Sequence, residues 1–158
     1  MFKHKVNRLG VALILGLFTL VLKINIVYAQ EQIKILSQTP KQEILFTNGK
    51  WKDVAAIAKK NGKYIFVDAY TSWCGPCQQL KDVTFKSKDA ADLFNRNFIN
   101  YTLDMEKGEG VELSDVWNVF SYPTLLFFNP EGKMVMKQTG YVDEKQLITI
   151  GKEALMRK

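Results

Sequence analysis

The chain has 158 residues, 47% of them hydrophobic, with 22 lysines and arginines against 16 aspartates and glutamates. This length allows one domain with a substantial core and is too short for two. The only histidine, His4, lies near the N-terminus, so the rest of the chain has no imidazole for a Ser-His-Asp or Cys-His nucleophile or for a zinc site.

The first 29 residues have the pattern of a secretory signal peptide. Three basic residues precede an uncharged run, Leu9–Leu22, and a small residue, Ala29, stands where a signal peptidase cleaves. The run has 14 residues, fewer than the roughly 20 that span a bilayer. We therefore expect cleavage after Ala29 and an exported protein, in the periplasm or another extracytoplasmic space. An uncleaved N-terminal anchor is the alternative.

Most of the excess positive charge belongs to that segment. It holds four of the 22 basic residues and none of the 16 acidic ones, which leaves 18 against 16, a net charge of +2. Such a balance predicts no nucleic-acid partner, and membrane contact only through the signal or an uncleaved anchor.

Residues 30–43 are polar and weakly patterned, as in a linker or an edge strand that leads into a strand at 44–46. Apolar residues at helical spacing predict a helix over 51–60, ended by Asn61-Gly62. Its inward face consists of Trp51, Val54, Ala55 and Ala58. The next segment, 64–70 (YIFVDAY), is apolar on both faces apart from Asp68, which is typical of a central strand covered on both sides.

The same patterns predict seven more elements. The first three are a helix from the cysteines towards Val83, a helix at Lys88–Phe98 and a strand at Phe98–Leu103. A further helix has the inward face Leu113, Val116, Trp117 and Phe120, and it is followed by a hairpin of the strands Thr124–Phe128 and Lys133–Gln138. The last is a helix capped by Asp143 and Gln146, with Leu147, Ile150 and Ala154 facing inward. Alternation followed by a hairpin and a helix predicts an α/β domain over residues 44–158. We expect one mixed sheet with helices on both faces.

The only two cysteines, Cys74 and Cys77, lie in the stretch SWCGPCQQL. A structural zinc site needs about four ligands, and one cysteine pair without histidine supplies two. A static crosslink over so short a loop would stabilise the fold little. A reversible redox pair suits the spacing best. Cys74 at a helix N-terminus is favoured as a thiolate, and Cys77 is one turn away, where it can resolve a mixed disulfide.

The two residues between the cysteines suit the same interpretation. Pro76 lacks an N–H at a position where the helix does not use one, and Gly75 permits a tight backbone. We expect Trp73 to pack beside the site, and Trp51 and Trp117 to belong to the core.

These residues resemble the thioredoxin family. WCGPC at 73–77 is the family's active-site motif, Val67-Asp68 ends a strand ahead of it, and Tyr122-Pro123-Thr124 precedes a buried strand and hairpin. The resemblance covers roughly residues 44–156. It is closer to exported thioredoxin-like proteins, and to the thioredoxin-like domain of transmembrane disulfide reductases, than to cytosolic thioredoxin.

The resemblance implies roles for three residues and also shows two departures. Pro123 corresponds to the family's cis-proline, which would leave the backbone of Tyr122 free to pair with a substrate strand beside Trp73. Asp68 corresponds to the buried acid that moves protons for Cys77. Where many thioredoxins carry a lysine near that acid, this chain has Asn100, so we expect a higher pKa for Asp68. Phe120-Ser121-Tyr122 replaces the usual small and aliphatic residues before the proline.

The resemblance implies a thiol–disulfide oxidoreductase that needs no cofactor and acts on protein disulfides. The leading expectation is an extracytoplasmic protein-disulfide reductase kept reduced by a membrane-bound electron donor. The alternatives are a disulfide oxidant or isomerase, and a non-catalytic protein that has kept the fold and binds thiol-bearing clients.

Overall fold

The computed structural model describes residues 20–31 and 43–158. The chain divides into two units, residues 1–41 and 42–158. Residues 20–31 are helical, while the remainder of the expected signal peptide and most of the expected linker at 30–43 lie outside the described residues. Within the described ranges, the helices are all too short or too polar to cross a membrane.

Residues 43–158 form strands and helices in the order that the sequence predicts. They are β1 (Phe46–Thr47), α1 (Trp51–Asn61), β2 (Tyr64–Tyr70), α2 (Gly75–Asp82), a 3₁₀ helix (Thr84–Lys86), α3 (Lys88–Asn97), β3 (Phe98–Asp104), α4 (Glu109–Val116), β4 (Thr124–Phe128), β5 (Met134–Thr139) and α5 (Glu144–Leu155).

The strands form one mixed sheet in the order β1-β3-β2-β4-β5. The first three strands are parallel, β4 runs antiparallel to β2, and β5 returns beside β4 as a hairpin. The predicted mixed α/β sheet is therefore confirmed. Its central strand, β2, leads directly into the segment that carries both cysteines.

The two faces of the sheet carry separate cores because side chains alternate along a strand. On one face Phe66 of β2 packs with residues of α2, α3 and α5. On the other face Ile65 and Val67 pack with α1 and with Trp117, which follows α4. We call the first the α2 face. Asp68 lies two residues beyond Phe66 and so on this same face, under the helix that begins at the cysteines.

Two of the four residues predicted to face inward from α4, Val116 and Phe120, are exposed, whereas Leu113 and Trp117 pack in the core. The helix ends at Val116, which is exposed, and Phe120 is 74% exposed, whereas Val119 is buried. Asn118 has a φ of 53° and interrupts the helical period, because this left-handed conformation turns the chain away from the helix axis. Lys137 of β5 fixes the turn, since its Nζ donates hydrogen bonds to the carbonyls of Trp117 and Asn118.

Candidate active site

The cysteine pair lies at the start of α2. Cys74 is the N-cap residue, and its Sγ accepts a hydrogen bond from the backbone N–H of Cys77 at 3.1 Å. The two residues form a disulfide with their Cα atoms 5.3 Å apart. In the reduced protein the same N–H and the helix dipole favour a thiolate at Cys74. The predicted helix start is confirmed, and Pro76 lies in the first turn, where its missing N–H costs nothing.

Gly75 is the first residue of α2. A Cβ added there would meet nothing within 4 Å, and its φ is not in the left-handed region. Neither the space around Gly75 nor its backbone conformation therefore requires a glycine, and the chain enters the helix through the extended conformation of Cys74.

Two aromatic side chains form one side of the site. Trp73 is 69% exposed, and its ring lies edge-on to that of Tyr122, with centroids 6.1 Å apart. Glu106 fixes the indole, since Trp73 Nε1 donates a hydrogen bond to Glu106 Oε2 at 2.9 Å. The Tyr122–Pro123 peptide bond is cis, as the resemblance implied, and Pro123 is buried. The sequence pointed to the aromatic pair, but nothing in it identified Glu106 as the partner of Trp73.

Asp68 is a fully buried carboxyl group. Its Oδ2 accepts a hydrogen bond from Thr102 Oγ1 at 3.0 Å and lies 4.0 Å from Lys81 Nζ. Among the described residues, Oδ1 has no hydrogen-bond partner. Burial raises the pKa of Asp68 to about 6, against the smaller opposing effects of Lys81 and Thr102. The carboxyl therefore exchanges its proton close to neutral pH.

The expected loss of a cation beside Asp68 is wrong. Asn100 donates no hydrogen bond to Asp68, because its amide nitrogen donates to Leu45 O and Asn95 Oδ1 instead. The cation beside Asp68 is Lys81, which lies on α2. The sequence contained a signal for this residue, because Lys81 follows Cys77 by four positions and so shares its helix face. We expected the absence of a cation to raise the pKa of Asp68. The pKa is raised, but burial is the cause.

The fold and the site together define a thiol–disulfide oxidoreductase of the thioredoxin class. The chain belongs to the thioredoxin-like domain family, whose model matches residues 51–155. The chain is also similar to thiol:disulfide interchange protein DsbD of Yersinia pestis, at 29% identity over 97 residues, which is 60% of this chain and 16% of that protein. DsbD of Vibrio cholerae is 29% identical over 122 residues, 71% of this chain and 20% of that protein. The chain thus spans a fifth or less of these relatives.

The chain is also similar to solved structures of other proteins. A Bacteroides thetaiotaomicron protein proposed to be a disulphide-isomerase shares 41% identity at a TM-score of 0.66, covering 74% of this chain and 97% of that one. A thioredoxin from Thermus thermophilus has a TM-score of 0.64 and covers 72% of this chain and 88% of its own, but at 18% identity it supports the fold alone.

Proposed function

We propose that the protein is an exported protein-disulfide reductase that uses Cys74 as nucleophile and Cys77 as resolving thiol. The observation that carries this proposal is the Cys74–Cys77 disulfide at the N-terminus of α2, with the Cys77 N–H donated to Cys74 Sγ. The signal-like segment at residues 1–29 supports export. The similarity to DsbD supports exchange with other proteins' thiols, and we propose a membrane-bound donor as the source of electrons.

The proposed reaction has two exchange steps. The Cys74 thiolate attacks a client disulfide, forms a mixed disulfide and releases one client thiolate. Cys77 then loses its proton to the Asp68 carboxylate and attacks Cys74 Sγ. This second attack forms the Cys74–Cys77 disulfide and releases the second client thiolate. The client gains two electrons and the cysteine pair loses two. We propose that Trp73, Tyr122 and the cis-Pro123 loop hold the client chain during both steps.

The dipeptide between the cysteines supports the reducing direction of this proposal. Gly75-Pro76 resembles the reducing members of the superfamily. The reduction potentials of thioredoxin and DsbA, about −270 and −120 mV, differ by about 150 mV, or roughly 7 kcal/mol. A difference of this size decides the direction of electron flow in a given compartment.

The test is reduction of a model protein disulfide by the purified protein with dithiothreitol as electron source. We expect catalysed reduction and a measured potential below about −200 mV. Cys74→Ser abolishes the reaction, whereas Cys77→Ser, the matched control, still attacks clients and accumulates mixed disulfides with them. A parent protein without reductase activity would contradict the proposal.

A disulfide isomerase is the second candidate, because the Bacteroides protein at 41% identity is proposed to be one. An isomerase returns scrambled disulfides to the native pairing without net reduction. Recovery of activity by scrambled ribonuclease, with a measured potential above about −150 mV, would favour this candidate over the reductase.

A further inference from the structure

We propose that Lys81 is a positioning residue that favours the ionised form of Asp68 and so assists proton transfer from Cys77 during the resolving step. The inference rests on the proposed function for the reaction that it assists. It does not rest on that function for the contact between Lys81 and Asp68, which can be tested in the protein without any client.

The geometry of α2 places Lys81 on the same helix face as Cys77 and within reach of Asp68. Cys77, Leu80 and Lys81 lie at positions i, i+3 and i+4 of α2 and therefore share one face of the helix. Leu80 is fully buried in the core that also contains Phe66, so this shared face packs against the α2 face of the sheet. Lys81 reaches Asp68 on that sheet face, with Nζ 4.0 Å from Oδ2. Lys81 thus joins the buried carboxyl to the helix that carries the resolving cysteine.

An aromatic ring restricts the Lys81 side chain. Its Nζ lies 2.9 Å from the centroid of the Tyr70 ring, a cation–π contact. Tyr70 follows Asp68 by two residues in β2 and therefore lies on the same sheet face. The ammonium group is held between the ring and the carboxylate, although 30% of the Lys81 side chain is exposed. This position makes Lys81 a fixed neighbour of Asp68 rather than a mobile surface cation.

A pocket lies next to the two polar neighbours of Asp68. It has a volume of about 370 Å³, and its lining includes Lys81, Thr102, Phe46 and Phe85. Lys81 and Thr102 are also the two polar neighbours of Asp68 Oδ2. The two side chains therefore separate a fully buried carboxyl from an open cavity. After Asp68 has taken the proton of Cys77, we infer that the proton leaves through this pocket.

Charged and titratable groups lie near Asp68 and Lys81 on several elements. Lys81 faces it from α2, Tyr70 lies beside it in β2, and its partner in β4 is the apolar Leu125. From β3 it meets Thr102, and Asp104 at the end of that strand acts on Lys81. Burial lowers the pKa of Lys81, while the carboxylates of Asp68 and Asp104 raise it and favour its charged form. Glu43 lines the same pocket.

The proposed step balances in protons as follows. The Cys77 thiol gives its proton to the Asp68 carboxylate, the Cys77 thiolate displaces the client thiolate from Cys74, and the proton passes from Asp68 to solvent. Only ionised Asp68 can accept the proton. Removing the charge of Lys81 leaves burial less opposed, so the pKa of Asp68 rises above its value of about 6.

The size of the effect depends on pH. An opposite charge at this distance lowers a carboxyl pKa by about one unit or more. If Lys81→Met raises the pKa from about 6 to about 7, the ionised fraction falls about twofold at pH 7 and about fivefold at pH 6. The rate of the resolving step is expected to fall by the same factors, so the defect of the variant grows as the solution becomes more acidic.

The first measurement is a carbon-13 NMR titration of the Asp68 carboxyl in the oxidised full-length protein, where the disulfide cysteines do not titrate. We expect the Asp68 pKa to be about one unit higher in Lys81→Met and in Lys81→Gln than in the parent. Lys81→Arg, which keeps the charge, restores a pKa close to that of the parent. Lys86→Met is the matched control, because it removes a lysine that pairs with Asp82 on the surface and leaves Asp68 unchanged.

The second measurement is the pH profile of protein-disulfide reduction from pH 5.5 to 8. Its acid limb moves up with the Asp68 pKa in Lys81→Met, and the same substitution has no further effect in an Asp68→Asn background. An Asp68 pKa that moves by less than about 0.3 units in folded Lys81→Met and Lys81→Gln would overturn the inference. If the titration shifts but the parent reduces no disulfide, the proposed function fails and the control of Asp68 by Lys81 stands.

Discussion

Asp68 is the residue whose environment departs furthest from that of an ordinary surface side chain. It has no exposed surface, one hydroxyl donor and a cation at 4.0 Å, and burial outweighs both favourable neighbours. A charged group in such a place opposes folding, and groups of this kind cluster at functional sites where their proton chemistry is used. The site therefore exchanges some stability of the fold for a carboxyl that titrates near neutral pH.

Asp68→Asn is expected to raise the free energy of unfolding at pH 7 by about 1–3 kcal/mol, because a pKa difference of about two units corresponds to roughly 3 kcal/mol. The folded protein holds this proton more tightly than the unfolded chain. The stabilisation that comes from this tighter binding of the Asp68 proton is complete below about pH 4 and is lost as the pH rises through about 6.

Urea unfolding of the parent and of Asp68→Asn at pH values from 4 to 8 measures this difference. The gap between the two proteins should open between pH 4 and pH 6 and remain constant above. Asp115→Asn on the exposed end of α4 is the control. A gap that is the same at every pH would show that Asp68 has an ordinary pKa.

At the level of single residues, the sequence identified both cysteines, the buried acid and the cis proline by motif. It did not identify Lys81, Glu106 or Thr102. Thr102 and Glu106 contact Asp68 and Trp73 across 34 and 33 residues of sequence. The position of Lys81 on the same helix face as Cys77 was a signal, but it does not show that the lysine reaches Asp68. A lysine or glutamate on a helix or loop is in most proteins a solvated surface residue. Only the register between β2 and β3, which pairs Asp68 with Thr102, and the packing of α2 bring these partners into contact.

Among the elements, the packing of α5 on α3 depends on a glycine. A Cβ at Gly151 would lie 2.9 Å from two ring atoms of Phe94. Phe94 cannot turn away easily, because it is fully buried, stacks on Phe98 and lies edge-on to Phe66. The missing side chain is therefore what allows the two helices to approach.

Gly151→Ala is expected to destabilise the protein by about 1–3 kcal/mol, because overpacking at Phe94 outweighs the gain of nearly 1 kcal/mol in helix propensity. Thr149→Ala, on the exposed side of the same helix, is the control and should be neutral or slightly stabilising. Thermal unfolding followed by circular dichroism measures both. An increase in melting temperature for Gly151→Ala would mean that α3 and α5 move apart at little cost.

Periodicity predicted the elements well where the repeat was unbroken. It placed α1, β2 and α5 within about a residue or two of their observed ends, including the capping box at Asp143 and Gln146. It was wrong at Phe120, because a left-handed residue at Asn118 breaks the helical period, and at Val116, which ends α4 on its exposed side. It also missed Gly151, since a glycine carries no hydrophobic signal even where a buried contact requires it.

For the whole molecule, the decisive feature is that two cores share one central strand. Alternate residues of β2 belong to the core with α2, α3 and α5 and to the core with α1 and Trp117. Neither core can lose β2 without exposing the other. We therefore expect residues 43–158 to unfold as a single cooperative unit.

Leu147→Ala in α5 tests this coupling. The substitution creates a cavity in the core on the α2 face and should lower the free energy of unfolding by about 2–5 kcal/mol. Tryptophan fluorescence reports mainly on the second core, which contains Trp117 and Trp51. Its midpoint in urea should move with that of far-ultraviolet circular dichroism. Separate midpoints for the two signals would show that the cores unfold independently.

The topology explains why the fold was predictable and the complete site was not. Strand and helix order follow from local patterns, and a chain of this length has few ways to arrange them around one mixed sheet. Which charged side chains then meet beneath α2 depends on the register of β2 against β3 and on the rotation of the helix. Neither quantity is encoded within a short window of sequence.

For the proposed reaction, the burial of Cys74 has a consequence for the choice of clients. Only 6% of this residue is open to solvent in the oxidised protein, beside an indole that stands out from the surface. A sulfur so recessed cannot travel to its target, so the client has to bring its own sulfur inward. Disulfides on protruding loops or in partly unfolded chains can make that approach, whereas disulfides buried inside a rigid folded protein cannot reach Cys74.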